Sequence, residues 1–371
     1  MSSSIELSSF AARMRGTISV FTHEPPVAMP AFDQFALELF ALQFQHNAPY
    51  RRLCEARSAR PGAVVHWTEI PAAPNSAFKE FELSCLPVTE RTAVFHSSGT
   101  TGQRPSRHFH NADSLALYEA SLLAWFESHL PLAIGNWQLA ILTPPPAEAP
   151  HSSLVYMFET IQRQYGSGAS RFFGKAAADG AWALDLEAAV ESLRKAAVSG
   201  QPLFVLGTAF SYVHLLDHLA GRDLRLKLPP GSCALETGGY KGRSRSLPKA
   251  ALHALVSQRL GIPADHIVCE YGMSELSSQA YDGAVAPSCF TFHGSRSFHF
   301  PPWARVHIIS PETGREVGEG ETGLIRVFDL ANVYSVMAVQ TEDLGIRRSN
   351  GFALAGRGAA AEPRGCSLQA A

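Results

Sequence analysis

Apolar positions first take on a clear period at Phe32, Phe35, Leu39 and Leu42, and that helical spacing predicts an amphipathic helix over 31–45. The pattern then changes. Residues 92–96 form a short, partly β-branched apolar run that stops at a cluster of Ser, Gly and Thr, which predicts a strand followed by a loop. Helical periodicity returns over 112–130. A buried strand is expected at 137–142, closed by Pro144, Pro145 and Pro146. Helices follow at 151–164 and 184–197, then a strand at 203–207 with a helix through about 219. Two further strands are expected, 233–236 ending in Thr237-Gly238-Gly239 and 267–270 ending in Tyr271-Gly272, with a helix over 247–260 between them.

Strands alternating with helices predict an α/β fold with a largely parallel sheet. Ligands of such sheets gather beyond the carboxyl ends of the strands. Three of the expected strands end in small polar or Gly-rich loops, which would then share one face. Past about 290 the helical signal fades. Short β-like runs at 303–309, 323–330, 336–341 and 352–355 are separated by Gly, Pro and Asp. The expected organisation is an α/β core over 1–295 and a smaller β-rich subdomain over 296–371.

Composition narrows the function. Of 371 residues, 46% are apolar, enough for a large core, while only 17% are charged and the net charge is −2. That balance argues against a general electrostatic grip on nucleic acid. The six cysteines contain no CxxC pair, which fits reduced thiols in a cytoplasm better than a disulfide framework. Cys289 and His293 lie four apart, but two ligands do not make a zinc site. No run approaches the ~20 apolar residues of a membrane span, and the first residues lack the apolar stretch of a signal peptide.

The chemistry concentrates at Ser97, Ser98, Gly99, Thr100, Thr101 and Gly102, four hydroxyl side chains and two glycines in six residues. Glycines let backbone approach a ligand closely, and consecutive N–H groups with added hydroxyls form an anion nest. The GxxxxGK[ST] P-loop is absent. A polar turn after a strand is the plain alternative.

This loop resembles the phosphate loop of the adenylate-forming superfamily of acyl-CoA ligases, adenylation domains and luciferases. The resemblance implies binding of ATP phosphates during attack on the α-phosphate. The sequence departs downstream, where Gln103-Arg104-Pro105-Ser106-Arg107 replaces the usual Pro-Lys pair, leaving Arg104 or Arg107 to supply charge. Further segments match in order. Thr237-Gly238-Gly239 resembles the segment that lies along adenine. Tyr271-Gly272-Met273-Ser274-Glu275 resembles the motif in which the tyrosine stacks on adenine, the hydroxyl contacts the α-phosphate and the glutamate helps hold Mg²⁺. A flat aromatic face, a hydroxyl and a hard carboxylate suit those three tasks. Asp343 resembles the aspartate that binds the ribose hydroxyls, and Arg357, after Gly356, the arginine that follows it. His151, after the proline-rich loop, falls where the superfamily places its acid substrate, although a capping or core histidine is the plainer reading.

The terminal region sharpens the resemblance. Only fourteen residues follow Arg357, none of them lysine, whereas full-length superfamily members continue into a domain that carries a catalytic lysine. Residues 70–79, the phosphate loop, Pro301-Pro302-Trp303-Ala304-Arg305 and Gly365-Cys366-Ser367-Leu368 together resemble the acyl-protein synthetase of the bacterial bioluminescence fatty acid reductase complex. The resemblance implies an adenylate-forming N-terminal domain of mostly parallel sheets flanked by helices, without a full lid domain. It implies ATP and Mg²⁺ as cofactors and a fatty or other carboxylic acid as substrate. It also implies an acyl thioester on Cys366 for a partner reductase or carrier. Other readings are a phenylacetate–CoA-type ligase acting on free coenzyme A, and a nucleotide-binding scaffold without turnover. Chemically, Cys366 could equally be an ordinary free thiol.

Overall fold

A computed structural model describes residues 3–21, 29, 31–97, 104–130, 136–177, 181–239, 245–283, 296–349 and 351–357. Three helices lead the chain: α1 (Ser3–Phe21), α2 (Phe32–His46) and α3 (Ala48–Ala56). The expected helix over 31–45 is α2, and it buries Phe32, Ala36, Leu39, Phe40 and Gln43 along one face. Asn47 separates it from α3 by accepting a hydrogen bond from the Tyr50 amide at 3.1 Å. A two-residue strand β1 (Ala73–Pro74) and a single helical turn α4 (Ala77–Glu80) follow.

Strand β2 (Ala93–His96) forms where 92–96 predicts it, but it does not join the main sheet. It pairs antiparallel with β3 (Arg107–His110) in a separate two-stranded ribbon. Helix α5 (Ala112–Glu127) begins on a capping box, with Asn111 Oδ1 and Ser114 Oγ each accepting the other's backbone N–H at 2.9 Å. Then come β4 (Gln138–Ile141), α6 (Ser153–Tyr165), β5 (Arg171–Phe172), β6 (Gly174–Ala176), β7 (Trp182–Leu184), α7 (Leu186–Ser199), β8 (Leu203–Thr208) and α8 (Ala209–Gly221). The core ends with β9 (Cys233–Thr237), α9 (Lys249–Leu260), β10 (Ile267–Tyr271) and β11 (Ala280–Tyr281).

The main sheet runs β11-β10-β9-β8-β4-β5, parallel throughout except for β11 at its edge. Two β-α-β units, β8-α8-β9 and β9-α9-β10, bring the ends of β9 and β10 side by side. Period-two alternation divides the strand side chains between two cores. Leu203 and Val205 of β8, Ala234 of β9 and Ile267 of β10 pack with Leu193, Leu216 and Leu252 of α7, α8 and α9. Phe204, Leu206, Leu235 and Val268 belong to the larger core with Phe126 of α5 and Phe158 of α6.

The last strands are β12 (Ala304–Ile309), β13 (Thr322–Asp329), β14 (Ala338–Arg348) and β15 (Gly351–Arg357). They form a second sheet in the order β1-β14-β13-β12, antiparallel but for β1. Strand β14 shares one edge: Val339 and Gln340 pair with β1, and residues 343–348 pair with β15. Buried polar groups join this sheet to the first. Asp329, with no exposed surface, accepts from the amides of Ser277 and Ala331 at 2.8 and 3.0 Å and from the Ser278 hydroxyl at 2.7 Å. Asn332 Nδ2 donates to the carbonyls of Glu275 and Val336. Among the described residues no helix is long and apolar enough to cross a membrane.

Candidate active site

A cavity of about 300 Å³ opens beyond the carboxyl ends of β9 and β10. Its wall contains Ser97 of the expected phosphate loop, Thr237, Gly238, Gly239, Tyr271, Gly272, Ser274, Glu275 and Asp343. These residues come from four separate stretches of sequence, and the fold brings them to one place. Ser98, Gly99, Thr100, Thr101, Gly102 and Cys366 lie outside the described residues. Of Arg357 only the backbone is described, paired with Asp343 between β15 and β14.

Ser97, where the expected phosphate loop begins, and Ser106, beyond its end, are held together. Ser97 Oγ accepts from the Ser106 amide at 3.0 Å, and the Ser97 amide donates to the Ser106 carbonyl at 3.4 Å. Ser106 is fully buried and sets its hydroxyl 3.5 Å from that of Ser274. Ser274 Oγ in turn donates to Glu275 Oε2 at 3.0 Å, and its carbonyl accepts from His108 Nδ1 at 2.6 Å. A line of polar groups therefore runs from Ser97 to Glu275, a carboxylate with no exposed surface. Burial holds His108 below the usual histidine range, so it stays neutral near pH 7 and its Nδ1 keeps the proton for Ser274.

Tyr271 closes β10 and packs against Phe298, Phe300 and Phe352 with ring centroids 5.3–6.3 Å apart. Its hydroxyl donates to Asp343 Oδ2 at 3.0 Å. Asp343 comes from the second sheet, beside the irregularity that shifts the register of β14 against β15 between Leu344 and Gly345. Gly238 has a positive φ of 72°, a backbone conformation that glycine takes without strain, and it turns the chain away as β9 ends.

His151 does not line the cavity. It precedes helix α6 rather than opening it, because Ser152 is the residue that caps α6, accepting from the Val155 amide. His151 Nδ1 donates to the Val94 carbonyl at 3.2 Å, and its carbonyl accepts from the His96 amide at 2.8 Å. Its ring lies 4.7 Å from that of His96, which does line the cavity. Partial burial, with the nearby His151 and Arg107, holds His96 below the usual histidine range. Of the two arginines offered as replacements for lysine, Arg107 pairs with Glu82 at 3.0 Å and Arg104 is exposed.

Glu270 and Ser106 are wall and support residues that sequence reasoning did not single out. Glu270 is 7% exposed and lines the cavity beside Tyr271. Burial raises its carboxyl to about 7, with Glu236 adding to the rise and a hydrogen bond from Thr237 Oγ1 opposing it. The available signal was a single charged side chain in the otherwise apolar strand Ile-Val-Cys-Glu-Tyr. A side chain at Gly272 would place its Cβ 2.3 Å from Glu270 Oε1, so the absence of a Cβ there makes room for that carboxyl.

The four described cysteines, Cys54, Cys85, Cys233 and Cys269, are all buried. Burial pushes the thiols of Cys54 and Cys233 up to about 11 and 12, and raises Cys85 and Cys269 as well. Cys269 lines the cavity, yet its thiol stays protonated. Among the described residues no group of three or more His, Cys, Asp and Glu side chains could hold a metal. Mg²⁺ at nucleotide sites usually needs only one or two carboxylates besides the phosphates. Glu275, buried in the wall beside a hydroxyl, fits that requirement.

Comparison with known proteins gives the family and the fold. The family model "Acyl-protein synthetase, LuxE" matches residues 27–370. The long-chain-fatty-acid–luciferin-component ligase of Aliivibrio fischeri is 22% identical over 327 residues, covering 85% of this chain and 78% of that protein. The Vibrio harveyi protein of the same name is 22% identical over 326 residues, covering 83% and 77%. Among solved structures, an open conformation of 2-hydroxyisobutyryl-CoA ligase superposes with a TM-score of 0.64 at 14% identity, over 91% of this chain and 75% of that one. The same ligase in its postadenylation state gives 0.63, also at 14% identity. The chain belongs to the LuxE acyl-protein synthetase family, has the adenylate-forming α/β fold, and is an acyl-adenylate-forming ligase that uses ATP.

Proposed function

We propose that this ligase activates a carboxylic acid of the fatty type as its acyl-adenylate and then carries the acyl group as a thioester on Cys366 for delivery to a partner reductase or carrier protein. The observation that carries the reading is the convergence of Ser97, Thr237, Gly239, Tyr271, Ser274, Glu275 and Asp343 on one cavity. In the first step a carboxylate oxygen of the acid attacks the α-phosphorus of ATP. The bond to the bridging oxygen breaks, and pyrophosphate leaves with the electron pair. Tyr271 offers its face to adenine, and Asp343 accepts hydrogen bonds from the ribose hydroxyls. The hydroxyls and backbone N–H groups of Ser97, Ser98, Gly99, Thr100, Thr101 and Gly102, with Ser274 and Arg357, hold the phosphates while charge builds. Thr237, Gly238, Gly239 and Gly272 let the nucleotide and acid approach the strand ends. His151 acts through the ring of His96, which it backs. Glu275 would hold Mg²⁺, which neutralises phosphate charge when bound.

In the second step the Cys366 thiolate attacks the carbonyl carbon of the mixed anhydride. The carbon–oxygen bond to AMP breaks, AMP leaves, and the thiol proton goes to solvent. The raised thiols of Cys54, Cys85, Cys233 and Cys269 support assigning this role elsewhere in the chain, because a protonated thiol is a weak nucleophile. Incubation with ATP and labelled fatty acid should leave label on the protein that hydroxylamine releases. Cys366→Ser should retain acid-dependent exchange of pyrophosphate into ATP but lose that label. Unchanged labelling of the variant would refute the thioester assignment.

A further inference from the structure

The geometry points to an acid substrate that carries a hydrogen-bond-donating substituent, a hydroxyl or an amine, which Glu270 receives inside the cavity. This rests on the adenylation reading above and narrows its substrate. Residues Glu270 and Tyr271 are consecutive on β10 and so face opposite sides of the strand. Tyr271 turns to Phe298, Phe352 and Asp343, the side read above as nucleotide-facing. Glu270 shares its side with Thr237 of β9, its partner across the parallel pair, and with Tyr281 of β11. Helices α5 and α6 cover that side and send Tyr118, Leu154 and Met157 to the same cavity wall. The carboxyl thus stands next to the nucleotide side but in the compartment left for the acid.

Thr237, Glu270 and Gln279 form a polar set there. Thr237 Oγ1 donates to Glu270 Oε2. Glu270 Oε1 fills the open position above Gly272, and Gln279 Cγ borders it at 3.6 Å. Apart from the phenol hydroxyls of Tyr118 and Tyr281, the rest of this face is apolar, with Phe204, Leu235 and Val268 in its core. A plain hydrocarbon chain filling the compartment would strip water from the carboxyl and offer nothing in return. A buried polar group left unmatched in this way disfavours the wrong ligand by roughly tenfold to a hundredfold. A hydroxyl or ammonium on the chain replaces the lost water. The elevated carboxyl, titrating near neutrality, accepts from a hydroxyl in either protonation state and pairs with an ammonium when ionised.

The test is acid-dependent pyrophosphate exchange by the full chain, with octanoic acid compared against hydroxyoctanoic and aminooctanoic acids whose substituent is moved along the chain. At least one donor-bearing acid should exceed octanoic acid about tenfold or more in kcat/KM. Glu270→Leu should cut that ratio about tenfold or more. Glu270→Gln, which keeps shape and an acceptor oxygen, should retain preference for the hydroxyl and lose preference for the amine. Octanoic acid used best by the wild type, or a ratio unmoved in both variants, overturns the inference and leaves adenylation intact. No exchange with any acid overturns the adenylation reading and the inference with it.

Discussion

The two sheets contribute to the cavity in different ways. The main sheet is parallel but for its edge strand β11, so its residues for the site gather at the carboxyl ends of β9 and β10, in Thr237, Glu270 and Tyr271, and on the loops just past them, in Gly238, Gly239, Gly272, Ser274 and Glu275. The second sheet is antiparallel and supplies Asp343 from the middle of a strand, at a place where the register slips. The first arrangement lets backbone N–H groups and small side chains face a ligand. The second fixes one carboxylate on a rigid ladder and reaches it across to Tyr271. Binding groups and holding groups are therefore separable, and substitutions in each should fail differently.

The largest expected effect is on stability. Asp329→Ala removes the acceptor for three donors in the seam between the sheets, and should cost roughly 3–5 kcal/mol. Chemical denaturation at neutral pH measures this. A loss below 1 kcal/mol would mean that the seam does not hold the sheets together. Next is the pH dependence of Glu270. Its carboxyl titrates near 7 when folded and at about 4.3 when unfolded, so the folded state binds the extra proton between those values. Its contribution is complete below about pH 4.3 and is lost as pH rises through about 7. Glu270→Gln should therefore gain about 2–3 kcal/mol relative to wild type on going from about pH 5 to about pH 8. Parallel stability curves for the two proteins over that range would contradict it.

A smaller effect is expected at Asp343, which the second sheet supplies to the cavity wall. Asp343→Ala should raise KM for ATP about tenfold to a hundredfold, with melting changed little because its side chain is only half-buried. If melting falls as far as in Asp329→Ala, Asp343 belongs with the holding groups. The smallest is Ser152→Ala, which removes the cap of α6 and should cost about 1 kcal/mol. His151, stacked behind the strand tip that the cap adjoins, should then lose order before Glu275 does. Amide exchange can follow both.

Much of this was legible in the chain because local pattern and tertiary environment agree. The strands of the main sheet are short apolar runs ended by small residues, and β8, β9 and β10 lie where those runs are. Strand β2 looks the same locally, but pairing is a long-range choice. Its partner Arg-His-Phe-His has too few apolar residues to declare itself as a strand. Helix α1 was missed although Leu7, Phe10, Ala11, Met14 and Ile18 recur at helical spacing and are buried. In the site, Gly-rich loops and an aromatic strand end are visible from sequence because their chemistry is unusual. Asp329 and Asn332 are not, since Asp-Leu-Ala-Asn reads as an ordinary turn until the three donors around Asp329 are seen.

Strand β14 also bears on the order of assembly. Ala73 finds its partner Val339 only when nearly the whole chain is available, while β12, β13, β14 and β15 can meet as successive hairpins. Loop closure over so many residues costs little more than over half as many, but such non-local pairing is slow. On a ribosome the early segment around β1 must wait for the late hairpins, and during that wait Ala73 and Pro74 lack their strand partners Val339 and Gln340. The strand that aims Asp343 at the cavity is thus also the last clasp to close, and folding yield in the cell should depend on how that interval is protected.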